Sequence, residues 1–96
     1  MPVNKGYELI CSHAARLLKE ARNERGLSLN LLAQKAGLSR QTITFIEQEL
    51  RTPNLETLLR IAAALEIDLE TIIAGARKSA TAEQVKQASA KKAKAK

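Results

Sequence analysis

The sequence predicts an all-α fold, and three observations support this prediction. Of the 96 residues, 45% are hydrophobic but only 2% are aromatic, so Leu, Ile and Ala supply the apolar mass, a composition that favours helices. The apolar positions recur at three- and four-residue spacing, which is the period of a helix face. The two prolines and four widely spaced glycines do not fit a turn-rich β fold.

The first two predicted helices are separated by a glycine and a capping serine. Apolar residues at helical spacing predict the first helix over residues 7–25, and Gly26 is expected to end it in the left-handed conformation that glycine adopts cheaply. Ser28 is a good N-cap for a second helix over Leu29–Ala36, because its hydroxyl can accept a first-turn N–H. Gly37 is expected to end this helix.

The third and fourth helices are predicted from the same kind of signal. Ser39 precedes a helix over residues 40–48, and Asn54 precedes one over Leu55–Leu65. The fourth helix is expected to bury one apolar stripe, made of Leu55, Leu58, Leu59, Ala62 and Leu65.

The fifth helix is predicted to be short and to close the domain. Asp68 is expected to cap residues 69–74, and Gly75 to end them. The Ala- and Lys-rich residues 76–96 cannot bury enough apolar surface to offset their ordering entropy, so we expect a disordered basic tail. The predicted organisation is a flexible N-terminus (1–7), one domain (8–75) and that tail (76–96).

Charge is distributed unevenly along the chain. The net charge of +6 comes from residues 76–96, since residues 1–75 hold nine basic and nine acidic side chains. Within the domain, residues 1–46 sum to +4 and residues 47–75 to −4. One end of the domain is therefore suited to phosphate. The tail has two open interpretations, a solvated run or a phosphate contact that releases counterions; membrane-surface binding is a weaker third, because the tail has no apolar face.

Several classes of function find no support in the residues. One cysteine, Cys11, and one histidine, His13, are too few for a zinc site, and residues two apart on a helix face different directions. We therefore expect no enzyme, metal, cofactor or small-molecule substrate. No apolar run approaches the ~18 residues of a membrane span, and no secretory pattern is visible, so we expect a cytoplasmic protein.

The pair of helices at residues 29–48 has the requirements of a helix-turn-helix. Two helices that cross after a three-residue connection need a small residue at their contact and a residue with positive φ in the turn, and Ala33 and Gly37 meet these needs. The expected inward positions are all apolar: Leu32, Ala36, Leu38, Ile43 and Ile46.

About 60 residues, 16–75, resemble the phage repressor/Cro type of helix-turn-helix domain, the xenobiotic-response-element family of regulators. The resemblance is carried by Leu18-Lys19-Glu20-Ala21-Arg22, Arg25-Gly26-Leu27-Ser28, Leu32-Ala33-Gln34-Lys35-Ala36-Gly37-Leu38-Ser39, Ile43, Ile46-Glu47, Pro53-Asn54-Leu55-Glu56-Thr57-Leu58 and Ile61-Ala62-Ala63-Ala64-Leu65. It implies a lambda-repressor-like five-helix bundle whose third helix lies in the DNA major groove.

The resemblance also implies roles for individual residues. The expected base contacts are Arg40, Gln41, Thr44 and Phe45, and the expected phosphate contacts are Gln34, Ser39, Arg51 and Thr52. Arg22 and Glu47 match a structural ion pair of the family. Dimer contacts are expected in the C-terminal part of the domain, at Leu69, Ile72 and Ile73.

Four positions depart from the family pattern. Leu29 and Phe45 stand where polar residues are usual, Leu31 replaces a usual Glu, and Glu49 replaces a usual Gly. Phe45 lies off the inward face, so we expect it to be exposed. The apolar Leu29/Leu31/Phe45 surface therefore either meets thymine methyl groups or contacts a protein.

These observations predict a small bacterial or phage regulator, associated with the nucleoid, that binds double-stranded DNA as a homodimer and acts as a repressor without a cofactor. The alternative is a protein-interaction module on the same fold, such as an antitoxin or anti-repressor, using Leu29, Leu31 and Phe45.

Overall fold

A computed structural model describes the backbone of residues 4–95 and the side chains of residues 6–83. This part of the chain forms five α-helices and no strand, which confirms the all-α prediction. The helices are α1 (Asn4–Glu24), α2 (Leu29–Ala36), α3 (Arg40–Glu47), α4 (Leu55–Leu65) and α5 (Leu69–Ala95). Most of the predicted flexible N-terminus is helical, because α1 begins at Asn4; the prediction for residues 1–3 lies outside the described residues.

Side-chain caps fix the start of three helices. Ser28, Ser39 and Asn54 are in the extended conformation, and each side chain accepts a backbone N–H three residues later, at distances of 3.0, 3.1 and 2.8 Å. These bonds satisfy donors that the first turn of a helix leaves free. The predicted caps of α2, α3 and α4 are confirmed.

The turn between α2 and α3 favours glycine because of its backbone conformation. Gly37 has φ +70°, in the left-handed region, and its N–H donates to carbonyl oxygens of α2. A Cβ at this position would lie 3.0 Å from Nη1 of Arg60. That atom is the end of a flexible side chain and can move, so the left-handed backbone is the reason that glycine is favoured at this turn.

The core lies where the five helices meet. The described residues buried there include Leu18 and Ala21 of α1, Ile61 and Leu65 of α4, and Ile72 of α5. From the helix-turn-helix come Leu32, Ala33, Ala36, Ile43 and Ile46, while Leu38 is half-buried against them. The predicted inward face of residues 29–48 is confirmed.

The predicted stripe of α4 is only partly correct. Leu58, Ala62 and Leu65 pack inward, but Leu55 and Leu59 are 66% and 51% exposed. The helix carries more apolar residues than one buried face can hold. Ile61, which the stripe omitted, takes the inward position.

The prediction that α5 ends at Gly75 is wrong. The helix continues to Ala95, and Gly75 lies where α5 crosses α1: a Cβ there would come within 3.2 Å of Cδ1 of Leu17. Gly75 does not have a positive φ. The glycine therefore marks a close approach between two helices rather than a helix terminus.

The first part of the predicted disordered tail packs on α1. Ala76 and Ala80 are 0% and 3% exposed, and Nε2 of His13 lies 2.8 Å from Oε1 of Glu83. The expected domain end at residue 75 is therefore incorrect, since residues 76–83 belong to the packed structure. The small side chains that gave the segment its low hydrophobicity allow it to lie close against α1.

Candidate nucleic-acid interface

The backbone of the α2–α3 turn sets the angle between the two helices. The N–H of Leu38 donates to the carbonyl of Ala33 over 2.9 Å, and the N–H of Gly37 to that of Gln34 over 3.3 Å. These bonds close the end of α2 immediately before Ser39 begins α3. The two helices thus form the helix-turn-helix predicted from the sequence.

The outward side of α3 carries the residues predicted to contact bases. Arg40 and Gln41 are exposed in its first turn, and Thr44 and Phe45 are half-buried one turn later. Ile43 and Ile46 lie in the core on the other side. Because residues three and four apart are neighbours on a helix, Gln41 adjoins both Thr44 and Phe45.

The residues predicted to contact phosphate flank this surface. Gln34 of α2, Ser39 before α3, and Arg51 and Thr52 after α3 are all exposed. The Ser39 hydroxyl is already engaged in the helix cap, where it also lies 2.8 Å from the hydroxyl of Thr42.

The C-terminal end of α3 folds back on itself. The N–H of Glu49 donates to the carbonyl of Ile46 over 3.0 Å, and the N–H of Leu50 to that of Phe45 over 2.8 Å. Glu49 has φ +61°, in the left-handed region. This is the Schellman arrangement, which explains why glycine is the usual residue at position 49.

A tether from α1 holds this fold-back. Oγ of Ser12 donates to Oε1 of Glu49 over 2.5 Å, and Nε of Arg16 lies 4.0 Å from Oε2. In the sequence, Glu49 stands out only as a departure from the family pattern. The contact with Ser12 joins residues 37 positions apart, which no local pattern indicates.

The segment after the fold-back returns over α3. Cζ of Arg51 lies 5.4 Å from the centroid of the Phe45 ring, within the distance of a cation–π contact. Phe45 is thus half-buried rather than fully exposed as expected. Leu29 is also half-buried against the core, so Leu31, 40% exposed, is the one residue of the predicted Leu29/Leu31/Phe45 surface that is exposed.

Arg22 and Glu47 form the ion pair that the resemblance implied. Nε of Arg22 lies 2.7 Å from Oε2 and Nη2 lies 3.0 Å from Oε1, while Nη1 donates to the carbonyl of Leu27 over 2.8 Å. The hydrogen bond to Glu47 raises the pKa of Arg22, against the opposing effect of burial. The pair fixes α3 to α1.

The predicted dimer residues do not form an exposed surface. Ile72 is 6% exposed in the core and Leu69 packs against it, because α5 uses these residues to hold the bundle together. Ile73 is half-buried. Ile72 is therefore a core residue of the single chain.

A different set of apolar residues is exposed, one after α3 and two on α4. Leu50, Leu55 and Leu59 are 69%, 66% and 51% exposed, and we call these three residues the leucine surface. The sequence contained one signal for it, the excess of leucine in α4. A cleft of about 520 Å³ lies nearby between α1 and the segment after α3, lined among others by Cys11, Arg51 and Thr52.

Among the described side chains, no group of three His, Cys, Asp or Glu residues is placed to hold a metal ion. No helix in the described residues combines the length and the apolar character needed to cross a membrane.

Comparison with known proteins identifies the domain. A family model described as helix-turn-helix matches residues 18–72. The HTH-type transcriptional regulator SinR of Bacillus subtilis is 35% identical over 57 residues, which are 58% of this chain and 51% of SinR. The immunity repressor protein of Bacillus phage phi105 is 41% identical over 56 residues, which are 58% of this chain and 39% of the repressor. The chain thus spans about half the length or less of these curated relatives.

The fold agrees with a solved structure of a relative bound to its ligand. The crystal structure of SinR, the master regulator for biofilm formation, in complex with DNA superposes with a TM-score of 0.59 and 33% identity. The match covers 62% of this chain and 97% of that chain. Because the family model spans more than half of the chain, and the caps, turn and ion pair of the motif are all present, the chain belongs to the xenobiotic-response-element type of the helix-turn-helix family.

Proposed function

We propose that this chain binds double-stranded DNA sequence-specifically and acts as a transcriptional regulator, as a repressor that occludes promoters. The carrying observation is the outward side of α3, where Arg40 and Gln41 are exposed at the end of the helix that enters the major groove in such domains. Arginine pairs with guanine and glutamine with adenine through two hydrogen bonds each. No cofactor is required by this mechanism.

Phosphate contacts would fix the register of the protein on the duplex. Gln34, Arg51 and Thr52 are exposed on either side of α3 and supply an amide, a cation and a hydroxyl. The proposal implies a cytoplasmic protein associated with bacterial or phage DNA.

The first test is selection of binding sites from random duplex DNA with the full chain, followed by footprinting. Arg40→Ala is expected to cost about 1–3 kcal/mol on the enriched site and to relax the preference at one base pair. Arg77→Ala, which removes an exposed charge from α5, is the charge-matched control. An equal loss on every sequence would show that Arg40 contacts only phosphate, and no enriched site would refute sequence-specific binding.

The leucine surface favours a second candidate function, contact with another protein chain. Two of its leucines, Leu55 and Leu59, are neighbours four residues apart on α4, and adjoining exposed apolar side chains are typical of protein contacts. The homodimer predicted from the sequence belongs to this proposal, with the leucine surface in place of Leu69 and Ile72. Sedimentation of the chain alone and with the enriched duplex measures the number of copies bound. A two-fold symmetric site that binds two copies supports the homodimer. A single copy on an asymmetric site would contradict the homodimer and favour contact of the leucine surface with a different protein.

A further inference from the structure

We propose that Phe45 and Arg51 form one recognition unit that reads the 5-methyl group of a pyrimidine in the major groove. This inference rests on the proposed DNA binding and names a chemical group that the α3 surface selects. The guanidinium of Arg51 lies over the ring of Phe45, and the distance from Cζ to the ring centroid is 5.4 Å.

Phe45 and Gln41 are neighbours on α3. Phe45 lies four residues after Gln41, so the ring adjoins an amide suited to pairing with adenine. It is half-buried, so part of the side chain remains accessible, and Gln41, one turn earlier on α3, is exposed. Thymine pairs with adenine and carries its methyl group at the adjacent edge of the major groove, where Phe is a suitable apolar contact.

The fold-back after α3 brings Arg51 to the Phe45 ring. The hydrogen bond from Leu50 to the carbonyl of Phe45 and the left-handed conformation of Glu49 return the chain over the helix. Arg51 follows directly and reaches the Phe45 ring. The bond from Ser12 to Glu49 anchors this return to α1, so the backbone just before Arg51 is tied to the fold.

The contact gives the two side chains complementary tasks. Arg51 orients the ring while keeping an exposed cation next to the path of the phosphates, and Phe45 supplies an apolar surface that Arg51 alone lacks. Arg51 is thus a positioning residue for the methyl contact as well as a phosphate contact. Since cytosine carries a methyl group at the same atom when it is modified, the unit also takes 5-methylcytosine.

The test removes single methyl groups from DNA. In the site enriched by the full chain, each dT is replaced in turn by dU, which deletes only the 5-methyl group. At one position the affinity of the wild-type chain is expected to fall about four-fold, the value for one buried methyl group. In Phe45→Ala this penalty is expected to fall below about two-fold at the same position.

Two further variants keep the test independent of folding defects. Phe45→Leu preserves an apolar side chain and should keep part of the dU penalty, with helix content verified by circular dichroism. Arg51→Ala should reduce overall affinity and also shrink the dU penalty, whereas Arg77→Ala, which loses the same charge on α5, should leave the penalty intact.

A second arm adds the methyl group to another base. At the same position, a pair with 5-methylcytosine should bind the wild-type chain about four-fold tighter than the unmodified cytosine pair, and Phe45→Ala should bind both equally. No dU penalty at any position, or an equal penalty in wild type and Phe45→Ala, would overturn the proposal while leaving sequence-specific binding standing. Failure to enrich any site would instead contradict the proposed function itself.

Discussion

Arg22 and Glu47 show how much one residue pair contributes to the position of the recognition helix. Their side chains are 12% and 7% exposed, and three hydrogen bonds satisfy the guanidinium. Removing one partner of such a pair leaves an uncompensated charge in a poorly solvated site. The bond from Arg22 to the Leu27 carbonyl extends the effect to the connection between α1 and α2.

Glu47→Ala is expected to lower the free energy of unfolding by about 3 kcal/mol, because Arg22 would remain buried without its carboxylate. Urea denaturation followed by circular dichroism measures the change. Glu56→Ala is the matched control: it breaks the exposed Arg60–Glu56 pair on α4, which should contribute only about 0.3–0.5 kcal/mol. Equal effects of the two substitutions would contradict the burial argument.

The pH dependence of this pair follows from the direction of the arginine shift. The hydrogen bond to Glu47 raises the pKa of Arg22 in the folded state. A raised pKa stabilises the fold below the unfolded-state value, and this contribution is lost only as the pH rises through the folded-state value. The charge of Arg22 therefore supports the fold throughout the neutral range.

At the scale of the elements, α5 is where local pattern and structure diverge. Its first turns carry Leu69 and Ile72, whose size and spacing predict a helix. The following turns pack through the small residues Ala76 and Ala80. Small residues bury little surface each, so their low hydrophobicity predicted disorder. Close approach to α1 at Gly75 allows these methyl groups to be buried nonetheless.

Ala80→Glu is expected to destabilise the chain by about 1–3 kcal/mol, because it places a polar group against α1 without a partner. Ala82→Glu, an exposed position on the same helix, should have little effect. Thermal and urea melts of both variants make the comparison. A disordered segment would show no difference between them, and that result would restore the domain boundary at residue 75.

At the scale of the whole molecule, the net charge is concentrated at the C-terminal end of the chain. Residues 1–75 are neutral overall, and the net charge of +6 lies in residues 76–96. Packing of residues 76–83 on α1 joins the basic C-terminal residues to the domain through a continuous helix, α5. The basic residues therefore lie on a helix, α5, whose first turns are packed in the domain.

Deleting residues 84–96 is expected to flatten the salt dependence of DNA binding, because five lysines that release counterions from phosphate are removed. The deletion keeps Ala76, Ala80 and Glu83, so the packing on α1 is preserved. Affinities for the enriched duplex across a salt series give the slope. An unchanged slope would mean that these lysines do not contact DNA.

The sequence by itself determined most of the bundle. Helix caps at Ser28, Ser39 and Asn54 and the left-handed Gly37 depend on hydrogen bonds between residues a few positions apart. The inward face of α2 and α3 depends on the helical period. These signals join residues close together in the chain and can therefore be recognised from the sequence alone. They also place Arg40 and Gln41, which are exposed, in the first turn of α3.

Only the tertiary structure decided the features that depend on distant residues. The crossing at Gly75, the anchoring of Glu49 by Ser12 and the exposure of Leu55 each depend on which helix lies opposite. The contact between Arg51 and Phe45 depends on a chain reversal that the left-handed Glu49 makes possible and α1 holds. Periodicity specifies which side chains share a face, whereas packing between helices decides whether that face is covered.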